Sequence, residues 1–237
     1  MRLEGPFQSW GERGKWSMRD TAPEPTKSGI VGILACALGW GEDDPIRELA
    51  FSLRIGVRCD HVPQRAPLVD YHTVGGGYQT SIHRQADGKL KYNKGEAHTE
   101  QTWRSYLVES SFLIALMTIT NSPDITRRLA DALQNPVWPV YLGRKSCIPS
   151  RPLFDRLAKA TDLDEALRAE PLYARSVHEL GKVRKVRTVV ESPSQRSGTV
   201  RRFDQTISRT QRTFAPRHTR EFFIDLTPVV DPLDSLL

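Results

Sequence analysis

Apolar positions along the chain fall into blocks with two different periods. Leu3 to Phe7 closes a first short strand, and a polar, glycine-bearing stretch follows from Gln8 to Arg19. After Pro23 and Pro25, Thr26 or Ser28 can cap a helix with its body at Gly29 to Leu38 and its stop at Gly39. Ile30, Val31, Ile33, Leu34 and Leu38 make that helix apolar on nearly every side, which predicts burial. Leu53 to Cys59 alternates apolar and polar residues like a half-buried strand, and Tyr106 to Ile119 has strong strand character. Ser122, Pro123 and Asp124 then form a helix start. Ile125, Leu129 and Leu133 share one face of that helix, and Asn135-Pro136 ends it. Val140-Tyr141-Leu142 predicts a short strand running into Gly143.

The stretch from His61 to Arg104 is different in kind. Gly75-Gly76-Gly77, Asp87-Gly88 and Gly95 punctuate a segment poor in large aliphatic residues, which predicts a long excursion, a protruding hairpin or a partly mobile loop. The order is therefore strand, helix, strand, excursion, strand, helix, strand. That is the βαββαβ order of a ferredoxin-like α+β fold with an insertion at about 64–104. Past Pro149, an Asp-capped helix at Leu163 to Arg168 and extended pieces at Val186 to Val190 and Arg220 to Leu226 remain. The expected organisation is a ferredoxin-like domain at 1–149 and a small basic, β-rich extension at 150–237.

Composition narrows the function classes. The 237 residues are 38% hydrophobic, enough for a real core. The longest apolar stretch, Ile30 to Trp40, is about half of the roughly 20 residues that a membrane span needs. With no apolar run of signal length at the start, the expectation is a soluble protein with no membrane partner. Cys36, Cys59 and Cys147 are odd in number and far apart, compatible with a reducing cytoplasm and against a disulfide framework. No metal-ligand spacing of Cys or His is visible, so neither a metal nor a cofactor is expected. The net charge of +6 permits a polyanionic partner. Its distribution says more: between Arg175 and Arg220 twelve Lys and Arg face three acids, Glu179, Glu191 and Asp204. Such a run is either a solvated face or a nucleic-acid contact.

Several segments carry candidate chemistry, each with a plain structural alternative. Pro25-Thr26-Lys27-Ser28-Gly29 sits at a helix start, where backbone N–H groups favour an anion, though a capping segment reads the same. It lacks the Walker A spacing. Leu142-Gly143-Arg144-Lys145-Ser146 places two cations beside a glycine at an expected strand end, where Arg can take phosphate in two-point fashion. Asp70-Tyr71-His72-Thr73-Val74 opens the excursion and Thr102-Trp103-Arg104-Ser105-Tyr106 closes it; these aromatics either stack on nucleotides or anchor the hairpin. Trp10, after Gln8 and Ser9, is either a stacking platform or a core residue. No nucleophile elbow, His-Glu-x-x-His pair or carboxylate cluster is present. A metal-free ribonuclease would first use His72 and His98.

In order along the chain, Leu3-Glu4-Gly5-Pro6-Phe7-Gln8-Ser9-Trp10-Gly11, Pro25-Thr26-Lys27-Ser28-Gly29-Ile30-Val31-Gly32 and Val57-Arg58-Cys59-Asp60 lead into the two excursion motifs. Tyr141-Leu142-Gly143-Arg144-Lys145-Ser146-Cys147 and Arg151-Pro152-Leu153-Phe154 close the series. The series resembles the fifth Cas family, in its form as the RAMP subunit of type I-E CRISPR Cascade, over roughly residues 1 to 155. The resemblance implies an RRM-type ferredoxin fold with a β-hairpin thumb at about 64–104. It implies a non-catalytic, cofactor-free cytoplasmic subunit that grips the 5′ handle of the CRISPR RNA for antiviral defence. Its implied partners are the large PAM-reading subunit, the backbone RAMP subunits and, indirectly, target DNA. A repeat-processing endoribonuclease is the alternative. Gln8, Trp10, Arg19, Thr26, Lys27, Ser28, Gly29, Tyr71, His72, Thr73, Arg104, Tyr106, Gly143, Arg144, Lys145 and Ser146 become the expected RNA contacts.

Overall fold

A computed structural model describes residues 1–14, 17–41, 44–63, 66–75, 80–84, 89–94, 99–120, 122–193, 198–208 and 210–233. The first elements are β1 (Arg2–Gln8), a two-residue β2 (Met18–Arg19), α1 (Lys27–Ala37), α2 (Ile46–Ser52) and β3 (Leu53–His61). The expected excursion holds β4 (Leu68–Gly75), β5 (Thr80–Arg84), β6 (Leu90–Lys94) and the start of the long β7 (Thr99–Thr118). Then come α3 (Pro123–Gln134), α4 (Leu163–Ala169), β8 (Arg184–Ser192), β9 (Thr199–Ser208) and β10 (Thr213–Leu226).

One sheet runs in the order β1-β7-β3-β8-β10-β9, with β2 and β4 attached to the first half of β7; β5 and β6 pair only with each other. All of its pairings are antiparallel except β2 with β7. β7 is the common element: β1 pairs with it as far as Arg2↔Leu113, β3 from Leu53↔Thr118, and β4 from Leu68↔Tyr106 to Gly75↔Thr99. β8 joins β3 directly through Gly56↔Val190, so residues beyond 150 continue the same sheet.

Strand alternation divides the apolar residues between two faces. Ile55, Val57, Phe112 and Ile114 belong to the larger core with α1, while Leu113, Val190 and Ile224 pack with Leu163 and Leu167 of α4. Gly56 is what lets α4 settle on the sheet: a Cβ there would lie 2.8 Å from Leu167 Cδ1. The fully buried Arg58 closes the end of that helix. Its Nη1 donates to Leu167 O and Glu170 O, both at 2.6 Å, where helix carbonyls lack partners of their own. Asp60 accepts from Arg58 and, at 3.0 Å, from Arg2, so the buried charges are matched.

The helix caps follow the sequence signals. Thr26 Oγ1 accepts from Gly29 N–H at 3.2 Å, Ser122 Oγ from Ile125 N–H at 3.4 Å, and Asp162 from Glu165 N–H at 2.8 Å. Gly39 takes φ +73° just after α1. One expected element is corrected: Val140 to Leu142 is not a strand. Trp138-Pro139 enters it, Gly143 leaves it at φ +89°, and Leu142 makes a tight loop by donating to Cys147 O at 2.7 Å. No helix among the described residues is long and apolar enough to cross a membrane.

Candidate nucleic-acid interface

β2, β7 and β4 form a ribbon whose two faces differ in chemistry. The register sets Arg19 beside Arg104 and Met18 beside Trp103. Across the other ladder Asp70 faces Arg104, Tyr71 faces Trp103 and His72 faces Thr102. Neighbouring residues on a strand point to opposite sides. Arg19, Arg104, Asp70, Thr102, Tyr106 and His72 therefore share one face, and Met18, Tyr71, Thr73 and Trp103 the other. Tyr71 and Trp103 meet on that second face with ring centroids 5.4 Å apart. The expected contact set is thus split, because Tyr71 and Thr73 point away from Arg104.

The 143–147 loop completes the cationic face. A Cβ on Gly143 would lie 1.8 Å from Ser9 O, so only glycine permits this approach. Ser9 N–H donates to Leu142 O at 3.0 Å, which ties the loop to the end of β1. Arg144 is thereby carried back over the ribbon. Its Cζ sits 4.6 Å from the Tyr106 ring centroid, and its Nη2 donates to Arg19 O at 3.2 Å. Lys145 and Ser146 stand exposed at the tip.

The electrostatics of this face are unbalanced. Burial, and then the charges of Arg212, Arg104 and Arg144, depress the proton affinity of Arg19. Arg104 Nε, Arg144 Nη1 and Thr102 Oγ1 are buried with no hydrogen-bond partner, as is Asp20 Oδ1 at the end of β2. Asp70 is engaged by His72 Nε2. Buried donors without acceptors are uncommon in native structures, and two of them on converging arginines suit an incoming oxyanion.

The expectation that Lys27 meets phosphate is corrected. Its Nζ is buried, donating to Leu53 O at 2.8 Å and to Glu191 at 3.0 Å, and burial lowers its pKa. Its backbone N–H donates to Asp204, so this helix start already holds its anion. Gln8 and Trp10 are corrected likewise: Gln8 Nε2 donates to Leu3 O and Ser110 O, and its Oε1 accepts from Trp10 Nε1 at 3.1 Å. The Trp10 ring lies against Gly29, where a Cβ would fall 2.7 Å from it, so neither residue presents itself to a base. Thr26 is a buried cap and Ser28 bonds its hydroxyl.

The basic run near the C-terminus is mostly internal wiring. Arg175, Arg184, Arg187, Arg202, Arg217 and Arg220 all sit in ion pairs, with Glu4, Glu179, Glu24, Glu12, Asp204 and Asp164 among their partners. Among the described residues of the run, Arg212, in the turn between β9 and β10, adds its charge to those that depress the proton affinity of Arg19, and no local pattern marked it. His98, the other ribonuclease suspect, lies outside the described residues. Among the described residues no group of three or more His, Cys, Asp or Glu is arranged to hold a metal ion.

A family model described as CRISPR-associated protein (Cas_Cas5) matches residues 1–220. The CRISPR system Cascade subunit CasD of Escherichia coli (strain K12) is 35% identical over 175 residues, which cover 70% of this chain and 74% of the relative. A solved chain described as CRISPR RNA-guided surveillance complex superposes with a TM-score of 0.74 at 31% identity, covering 100% of this chain and 96% of that one. A second, described as the crystal structure of a Cas protein, gives 0.67 at 32% identity, covering 98% and 97%.

Proposed function

The chain belongs to the Cas5 family of CRISPR-associated proteins, with type I-E Cascade likeness, and on that premise we propose that it holds the 5′ handle of a CRISPR RNA without cutting it. The observation that carries this reading is the pair of buried, unpartnered guanidinium atoms, Arg104 Nε and Arg144 Nη1, beside Arg19. A ribose–phosphate chain crossing this face meets a fork of donors, with Lys145 and Ser146 at its edge and His72 at its side. The ribbon that carries them is the thumb base, and Tyr71, Trp103 and Met18 on its reverse are available to a neighbouring subunit. Docking to the large PAM-reading subunit and to the first backbone subunit belongs to the same reading.

Gel-shift binding of a labelled repeat RNA in EDTA, across salt, tests the proposal. Arg104→Ala and Arg144→Ala should each weaken binding about tenfold, the worth of a charged hydrogen bond. The salt slope should fall by about 0.7 for each phosphate deprived of its arginine. Cleavage in EDTA that His72→Ala abolishes would instead establish the ribonuclease reading.

A further inference from the structure

We propose that Tyr106 is the positioning residue of the RNA grip: its ring is the shelf that aims Arg144 at a phosphate, and Tyr106 itself does not touch RNA. The inference rests on the RNA-holding reading above and assigns, within that site, the residue that orients one of its two unmet arginine donors.

Tyr106 stands where the ribbon hands over to the main sheet. Leu68 of β4 pairs with it, and Gln8 of β1 pairs with the next residue, Leu107. Ladders on both sides therefore fix its backbone. Tyr106 is only 7% exposed and belongs to the larger core, so its ring does not lie open as a stacking platform for a base. Phe7 meets that ring edge-on, with centroids 6.0 Å apart and planes at 68°, an arrangement that aromatic pairs favour. Sheet and neighbour together leave the ring little freedom to turn.

Arg144 lies over this fixed ring, its Cζ 4.6 Å from the centroid. A guanidinium is planar, so a ring beneath it and a carbonyl at its edge, Arg19 O at 3.2 Å from Nη2, define how the plane lies. Nη1 is the donor left over, buried and without a partner. Both holds on Arg144 are electrically neutral. Arg202 and Arg217 are held instead by carboxylates, which cancel their charge. A ring and a carbonyl orient the guanidinium and leave its full charge to an incoming anion. Without the shelf, Arg144 would spread over its rotamers, and binding would have to order it.

Gel shifts with a labelled repeat RNA separate this role from a merely structural one. Tyr106→Leu keeps an apolar side chain and removes the ring. At a temperature where that variant is still folded, its affinity should fall about fivefold, the worth of a cation–π contact. Tyr106→Phe brings the ring back and should bring the affinity back with it. In an Arg144→Ala background, Tyr106→Leu should weaken binding no further, because the shelf has nothing left to aim. Losses that multiply in the double variant would overturn the proposal, since Tyr106 would then act without Arg144. Tyr106→Phe as weak as Tyr106→Leu would overturn it by placing the effect on the hydroxyl. Wild-type affinity in Tyr106→Leu, alongside weakening by Arg144→Ala, would also overturn it while leaving the handle reading intact. Undiminished binding by Arg144→Ala and Arg104→Ala would remove the site itself, and the shelf's role with it.

Discussion

Lys27 and Glu191 form an ion pair at 3.0 Å although 164 residues separate them in the chain. The lysine opens α1, the glutamate is the next-to-last residue of β8, and Arg217 and Asp204 of the C-terminal strands complete a buried four-charge cluster around them. The pair fastens the last strands of the sheet to the first helix. Removing the lysine leaves Glu191 only its longer contact with Arg217, at 3.9 Å, and breaking a buried pair in this way typically costs about 3 kcal/mol. Lys27→Ala should therefore lower the unfolding free energy, measured in urea, by that amount while the folded fraction keeps wild-type RNA affinity. Lost affinity at unchanged stability would return Lys27 to the binding site.

Gly143 offers a contrast between two kinds of glycine. Gly143 and Gly181 both have positive φ, +89° and +71°, but only the first has backbone at van der Waals range of a missing Cβ. Gly181→Ala should cost about 1 kcal/mol, the penalty for the left-handed conformation. Gly143→Ala must also push Ser9 away, so the 143–147 loop leaves the end of β1 and carries Arg144 with it. Unfolding curves should show a loss of at least about 3 kcal/mol. RNA binding, read at a temperature where the variant is still folded, should fall as far as it does for Arg144→Ala. Retained affinity would mean that the loop's position is not what orients Arg144.

Local signals carry the helices well and the long-range pairings poorly. The Ser122-Pro123-Asp124 start and the Thr26 cap are legible because a cap is chemistry between residues three apart. α2 has no such mark, since its start at Pro45 has no side-chain cap to signal it. Val140 to Leu142 has the composition of a strand, but Gly143 turns the chain before a ladder can form. The site shows the same division. Arg104 and Arg144 lie in recognisable blocks and do converge with Arg19, which only closes the polar stretch after Gln8. Lys27 at a helix start reads alike whether its partner is a phosphate or Glu191, and the sequence holds no local clue to which. The C-terminal arginines resemble a polyanion surface because their carboxylates, such as Glu4, Glu12 and Glu24, lie at the other end of the chain.

The three cysteines differ enough in surroundings to report on folding. Burial pushes the Cys59 thiol up to about 12, and it raises that of Cys147 as well. Neither forms appreciable thiolate at pH 8, whereas Cys36 is half-buried on α1 with its Sγ near Pro139 O. Iodoacetamide applied to the native protein at pH 8 should label Cys36 first, with Cys59 and Cys147 following only as the chain unfolds. Mass spectrometry of a timed reaction checks the order. Early labelling of Cys59 would show that β3 opens locally far more easily than its central place in the sheet implies.

Asp204 makes stability depend on acid in a predictable direction. Burial alone would raise its pKa. The two bonds from Arg217, at 2.6 and 2.7 Å, and the Lys27 N–H outweigh burial and hold it below the usual aspartate value. A carboxyl whose folded pKa is depressed takes up protons more readily once unfolded. Its contribution is complete above the unfolded value, near pH 4, and is lost as pH falls through the folded value. Wild-type stability should therefore decline below about pH 4. Asp204→Asn should be less stable at pH 7, since Arg217 keeps only a neutral partner, and its own decline below pH 4 should be shallower. Urea unfolding of both proteins from pH 7 down to the lowest soluble pH measures the two slopes. Parallel curves would mean that another carboxylate, not Asp204, sets the acid limit of this sheet.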